Sequence, residues 1–327
     1  MGIFKWRLIA SMALLTGCAG GKILVAVQQH SNAVLLYDID KQAVSAKIPV
    51  GSMPHEIVYD PVSKLCFVSD FGVEDYDTKI GIPGRSISVI DPYKSILVKT
   101  IYTGTDSIGN MPHGIKIRPG NAHELFVNIE RGDSMIVYNL KNYAVIRKFA
   151  IPPLAHNFIF SKTGERLWLM CGAAGIYQVN PADGKKIRQQ ILTSPVRGLA
   201  FINHDILASC SNEVYILSQK DLCIKEHFCN LGVGQILYSA VSKDQQYILC
   251  PAVYDSTVLI LEAASGKIIA RLQTDKTPIN IQTSGNLAFV SHAQDNHITE
   301  INLKTFSVIK NIEVPGTNGL LIINKKY

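Results

Sequence analysis

The sequence predicts an all-β fold, a seven-bladed β-propeller of four-stranded antiparallel blades closed by a C-terminal strand that completes the first blade. Three observations carry this. First, Gly51-Ser52-Met53-Pro54-His55-Glu56-Ile57-Val58 returns nearly intact as Gly109-Asn110-Met111-Pro112-His113-Gly114-Ile115-Lys116. Weaker echoes follow at His156, Arg197, Asn280 and Asn318, with a degenerate copy near Leu237, at separations of 58, 43, 41, 40, 43 and 38 residues. A period slightly above 40 fits one four-stranded blade, and the long first gap marks an insertion. Second, an apolar strand recurs seven times, at 33–38, 86–91, 134–139, 175–180, 213–217, 257–261 and 297–302. Third, the first repeat lacks its innermost strand, whereas residues 318–324 read as an innermost strand with nothing after it. Pairing the two ends would close the ring and remove the open edges.

In chain order, Lys5 and Arg7 precede the apolar run Leu8 to Leu15, which has the polarity of a secretory signal and is too short to span a bilayer. Leu15-Thr16-Gly17-Cys18 resembles the lipobox of bacterial lipoproteins, whose cysteine is diacylated and becomes the first mature residue. The resemblance implies a signal peptide over 1–17, lipidation at Cys18 with a short tether over 18–22, and a propeller over 23–327. Because Ala19 is not acidic, it also implies sorting to an outer membrane, with the body facing the periplasm or cell surface. The strands that follow are expected to show period-two alternation, separated by turns rich in Asp, Pro, Gly and Lys. The insertion runs from Phe71 to Arg85, carries Tyr76 and Pro83, and reads as an exposed, functional loop. A smaller extension covers Thr103 to Asn110.

The formal charge of +6 falls to +4 without Lys5 and Arg7, and no Lys/Arg cluster marks one face. Nucleic acid is therefore not an expected partner. No Cys-x-x-Cys-His haem motif is present, so the sequence names no cofactor.

The repeats resemble the YVTN-repeat seven-bladed propellers of bacterial periplasmic and surface proteins. The matching pattern is Gly-x-x-Pro-x-x-Ile on the innermost strand, a second strand ending in Val-Ser or Val-Asn, and Ser-Val-Ile-Asp on the third. Leu125-Phe126-Val127-Asn128 and Ile87-Ser88-Val89-Ile90-Asp91 carry it best. The pattern implies the fold, while function must be argued from a site.

Innermost strands start, and second strands end, on one face, because the two are antiparallel neighbours. This gathers His55, His113, His156, Arg197, Asn280 and Asn318 as candidate ligand-binding residues around the channel mouth. A second ring holds His30, Asp70, Glu130, Cys171, Cys210, Cys250 and His292. His55, His113 and His156 in one phase are candidate metal ligands, on the condition that inner strands diverging around a wide channel still bring the imidazoles together. The expected partner is an envelope protein or a small polar or anionic ligand, with the membrane reached through the N-terminal lipid, and the protein reads as a binder rather than an enzyme. The alternative is a hydrolase or lyase similar to the lactonase-type propellers, in which His113, Glu130 and Arg197 would serve as base and oxyanion partner. Streptogramin lyases share Pro-His-Gly-Ile, present at Pro112 to Ile115, but their Trp-Phe-Thr-Glu strands are missing. Cys66, Cys171, Cys210 and Cys250 are assigned to second strands and Cys223 and Cys229 to an outer strand, where they are too far apart to pair. Arg131-Gly132-Asp133 is read as turn chemistry.

Overall fold

The computed structural model describes residues 21–325 except 75–76, 105–107 and 121–122. The signal segment, Cys18 and Tyr76 lie outside the described residues. Among the described residues, twenty-eight strands, β1 to β28, form seven four-stranded antiparallel sheets. The innermost strands are β4 (Pro54–Asp60), β8 (Pro112–Ile117), β12 (Asn157–Phe160), β16 (Gly198–Ile202), β20 (Ala240–Val241), β24 (Pro278–Ser284) and β28 (Thr317–Asn324). Each touches the next around a closed ring, β24 against β28 and β28 against β4 included. The protein is a seven-bladed β-propeller.

Of the third strands, β2 (Ala33–Asp38), β6 (Ser86–Asp91), β10 (Ser134–Asn139) and β26 (His297–Asn302) occupy the expected spans. The expected period-two alternation is corrected for the middle strands: β2 and β9 (Glu124–Ile129) are buried along their whole length. Neighbouring blades cover both of their faces, so these strands carry continuous apolar runs. The core is accordingly a set of layers between blades. Phe67, Ile87 and Val89 of the second blade pack on Ile115, Leu125 and Val127 of the third. The seam between last and first blades is filled the same way, by Phe289, Ile298 and Ile312 against Leu24, Leu35 and Tyr37.

The first sheet has the order β28, β1 (Lys22–Gln28), β2, β3 (Ala43–Pro49). Its register runs from Lys22 opposite Asn324 to Ala26 opposite Leu320. Lys325 adds contacts of 2.6 Å to Asp38 and to Asp40, and the Tyr93 hydroxyl donates to the Asn324 carbonyl at 2.9 Å. The ion pairs are solvent-screened and contribute little. Backbone pairing and the apolar seam close the ring.

The repeated Val-Ser and Val-Asn endings rivet the inner strands. The Ser69 hydroxyl accepts from the Glu56 amide at 3.1 Å, and Asn128 Oδ1 accepts from the Gly114 amide at 2.6 Å. Asn128 Nδ2 also reaches the next blade, donating to the Ala155 carbonyl at 2.8 Å, and Ser291 donates to the Asn318 carbonyl at 2.9 Å. These side chains satisfy buried backbone groups that the irregular starts of β4 and β8 leave outside the ladder. Gly114 is required by this closeness, because a Cβ there would lie 2.5 Å from Asn128 Oδ1 and 2.9 Å from Asn157 Oδ1.

The long connections, among them 71–85 and 229–237, share the face on which innermost strands begin. Short turns such as 39–42 and 92–95 occupy the opposite face, where Gly21 leads into β1. A chain ending at Pro315 loses β28 and leaves β1 as an open edge. It is expected to lose cooperative thermal unfolding and to self-associate, as read by circular dichroism melts and size-exclusion chromatography.

Candidate functional site

Four of the inner strands, β4, β8, β12 and β28, are entered through a residue in the left-handed region, two positions before the histidine phase. Met53, Met111, Leu154 and Gly316 have φ of 39, 59, 65 and 56°. Three of these are not glycine, an uncommon backbone state that the packed ring imposes. The register then slips by one residue between Pro54 and Ile57 and between Pro112 and Ile115. Such bulges re-aim side chains. Here they overcome the expected divergence of adjacent strands.

The imidazoles of His55, His113 and His156 form a column, with centroids 4.3 and 3.9 Å apart and ring planes inclined by 42 and 31°. Phe71 packs edge-on against the first two, at 5.7 and 4.7 Å. His55 and His113 are 2% and 0% exposed. They are interior groups, not a channel lining. His156 is the member that reaches open space. Its Nδ1 donates to Glu130 Oε1 at 2.6 Å. His113 Nδ1 donates to the His156 carbonyl at 2.8 Å and lies 3.8 Å from the same Glu130 oxygen. A carbonyl only accepts, so the proton of His113 sits on Nδ1.

The column opens on a cavity of about 330 Å³ lined by Phe71, Thr78, Glu130, His156, Met170, Arg197, Gln235, Leu237, Tyr238 and Tyr254. An adjoining hollow of about 390 Å³ shares Glu130, His156, Met170 and Arg197 and adds Asp133 and Leu154. Arg197 is exposed, and its guanidinium donates to no protein group among the described residues. The site thus joins a cation, a carboxylate–imidazole pair and uncharged donors, enough to orient a small polar molecule.

The remaining candidates are placed elsewhere. Asn318 is buried, donating to Gln29 Oε1 at 2.8 Å. Asn280 lines the central channel with Glu56 and Lys116, themselves paired at 3.2 Å. His30 pairs with Glu74 at 2.8 Å on the insertion. His292 is buried, its Nδ1 donating to the His297 carbonyl at 2.9 Å, and burial lowers its pKa. Cys171 and Cys210 lie just beyond their second strands, while Cys223 and Cys229 flank β19 (Ile224–Phe228) rather than lying on it. Burial pushes the thiols of Cys171, Cys210 and Cys250 up to about 12, so they are not thiolate ligands near neutral pH. Arg131-Gly132-Asp133 is a turn, with Gly132 at φ 105°.

The insertion is not wholly exposed, as its sequence suggested. Phe71 and Val73 are fully buried, and the Gln29 amide donates to the Val73 carbonyl at 3.0 Å. Ile80 and Ile82 stay exposed. Sequence reasoning missed Thr78, Met170, Gln235 and Tyr254. The last two belong to the fifth and sixth blades, where the repeat is most degraded.

No protein-family model matches the chain, and no curated protein matches its sequence. Among solved structures it is similar to Kuenenia stuttgartiensis hydrazine synthase, at 16% identity and TM-score 0.67 over 86% of this chain and 92% of that one. Dihydro-heme d1 dehydrogenase NirN in complex with DHE follows at 11% and 0.64, over 91% and 74%. The computationally designed Ika8 protein gives 9% and 0.63, over 91% and 87%. At these identities the likeness shows the fold alone.

Beside the site, Asp70 is 1% exposed and receives hydroxyl bonds from Ser86 at 2.6 Å and Ser88 at 3.0 Å. Burial outweighs those bonds and pushes its carboxyl from 3.8 up to about 7. The folded state therefore binds this proton more tightly than the unfolded chain. Through Asp70, stability falls as pH rises between about 4 and 7 and levels off above. In Asp70→Asn that component of the slope is expected to vanish, as measured by urea unfolding at pH 4.5, 6 and 8.

Proposed function

We propose that the protein is an exported, lipid-anchored propeller of the bacterial envelope that binds a small anionic or polar ligand at the loop-side mouth of its channel. The observation that carries the ligand is Arg197, whose guanidinium has no protein partner among the described residues and stands on the wall of a cavity it shares with Glu130 and His156. Arginine offers a planar fork of donors matched to carboxylate and phosphate. Gln235, Thr78 and Tyr254 supply neutral polar groups around it. The envelope placement rests on Leu15-Thr16-Gly17-Cys18 and on the YVTN-like pattern of the repeats.

A hydrolytic reading uses the same atoms. An imidazole held by a carboxylate at 2.6 Å has the arrangement of a general base, with Arg197 placed to hold a developing oxyanion. In this reading Glu130 and His156 act together, and His113 orients His156 from beneath.

Calorimetric titration with a panel of small carboxylates and phosphates is expected to find a ligand that Arg197→Ala binds roughly 10- to 100-fold more weakly, the range for losing charge-assisted hydrogen bonds. Equal binding by the variant would sink the reading. Turnover of a lactone, lost in Glu130→Gln, would select the hydrolytic version. For the anchor, Cys18→Ala is expected to move the protein from the membrane to the soluble fraction on cell fractionation. Unchanged membrane association would remove that part.

A further inference from the structure

We infer that His113, Glu130 and His156 form a site for one first-row divalent transition ion, which presents its open coordination positions to the cavity beside Arg197. The ion site stands on its own geometry, while its role as a partner for the anionic ligand rests on the binding reading above.

One ligand atom from each of the three residues lies within 4.8 Å of the other two. Both imidazoles turn Nδ1 toward the same carboxylate oxygen, at 2.6 Å for His156 and 3.8 Å for His113. Bonds of about 2 Å to a common ion place neighbouring donor atoms about 3 Å apart. The 2.6 Å separation must therefore open and the 3.8 Å one close, each by less than about 1 Å, and the two imidazole donors, within 4.8 Å of each other, must draw together by less than about 2 Å. Two imidazoles and one carboxylate make a three-ligand set that leaves room for water or ligand, and imidazole favours zinc, nickel or copper over magnesium and calcium.

Protonation fits the same picture. In the ion-free geometry both rings carry their proton on Nδ1. Coordination requires each neutral ring to hold it on Nε2 instead, a tautomer change that costs no net proton. His113 then releases the His156 carbonyl. Coordination needs neutral imidazoles, so affinity is expected to fall as pH drops.

The surroundings set the direction of access. His113 is fully buried, whereas the side chains of Glu130 and His156 are 22% and 28% exposed toward the cavity. His55, stacked on His113, is not part of the set. Asp275, Asp295 and His297 also bring ligand atoms within 4.8 Å, but Asp295 there caps the amides of Lys276 and Asn296. That cluster serves as the control.

The test is calorimetric titration of zinc into tag-free, metal-stripped protein, with cobalt absorption as a second readout. Wild type is expected to bind about one ion per chain. Glu130→Gln and His156→Gln, whose groups are partly exposed, should each weaken binding at least about 30-fold while melting like wild type without metal. His30→Ala and Asp295→Asn should bind as wild type does. Absence of saturable binding in wild type overturns the inference, as does binding that survives in both site variants or is lost in Asp295→Asn. Anion binding to metal-free protein that zinc does not change leaves the ligand reading standing and removes the ion's part in it. Zinc binding without affinity for any anion in the panel does the reverse.

Discussion

Everything in this molecule depends on the antiparallel pairing of β28 with β1, the contact that turns a row of repeats into a ring. Without it the first blade would have three strands, and the seam between Phe289 and Leu24 would open to water. Closure also fixes how near the innermost strands come to the axis and to each other. Gly319 is packed so tightly that a Cβ would sit 2.5 Å from the His55 carbonyl. The histidine column is built on strands held at that spacing.

A second constraint converts spacing into chemistry. Left-handed residues at Met53, Met111 and Leu154, with bulges in β4 and β8, re-aim three side chains that a regular ladder would hold apart. Buried Ser69 and Asn128 meet the hydrogen-bonding cost of the bulges. The residues that read as repeat signature and those that read as site are therefore coupled. The Val-Asn ending of β9 is followed within two residues by Glu130, on the column.

Much of the fold was legible because its signals are local. An apolar run ended by turn residues defines a third strand wherever it occurs, and a missing first strand opposite a surplus last one implies closure. The middle strands were misread as alternating because two-sided burial is set by neighbouring blades, not by the strand. At the site, His113, His156, Glu130 and Arg197 could be gathered from repeat phase alone. Which rings touch could not, since that follows from positive φ at residues of no special type. Gln235 and Tyr254 escaped because β20 is two residues long, and a phase cannot be carried across so short a strand.

The two faces of the disc are unequal, and the chain enters the ring at Gly21 on the face of short turns. An attachment made directly at Gly21 would lie on the face opposite the mouth. With such an attachment a soluble molecule would reach Arg197 from open solvent, and a large partner would meet Ile80, Ile82 and Tyr254 without colliding with whatever surface holds that opposite face. Reversing the attachment to the loop face would bury the cavity against that surface, so the polarity of the disc decides what can visit it.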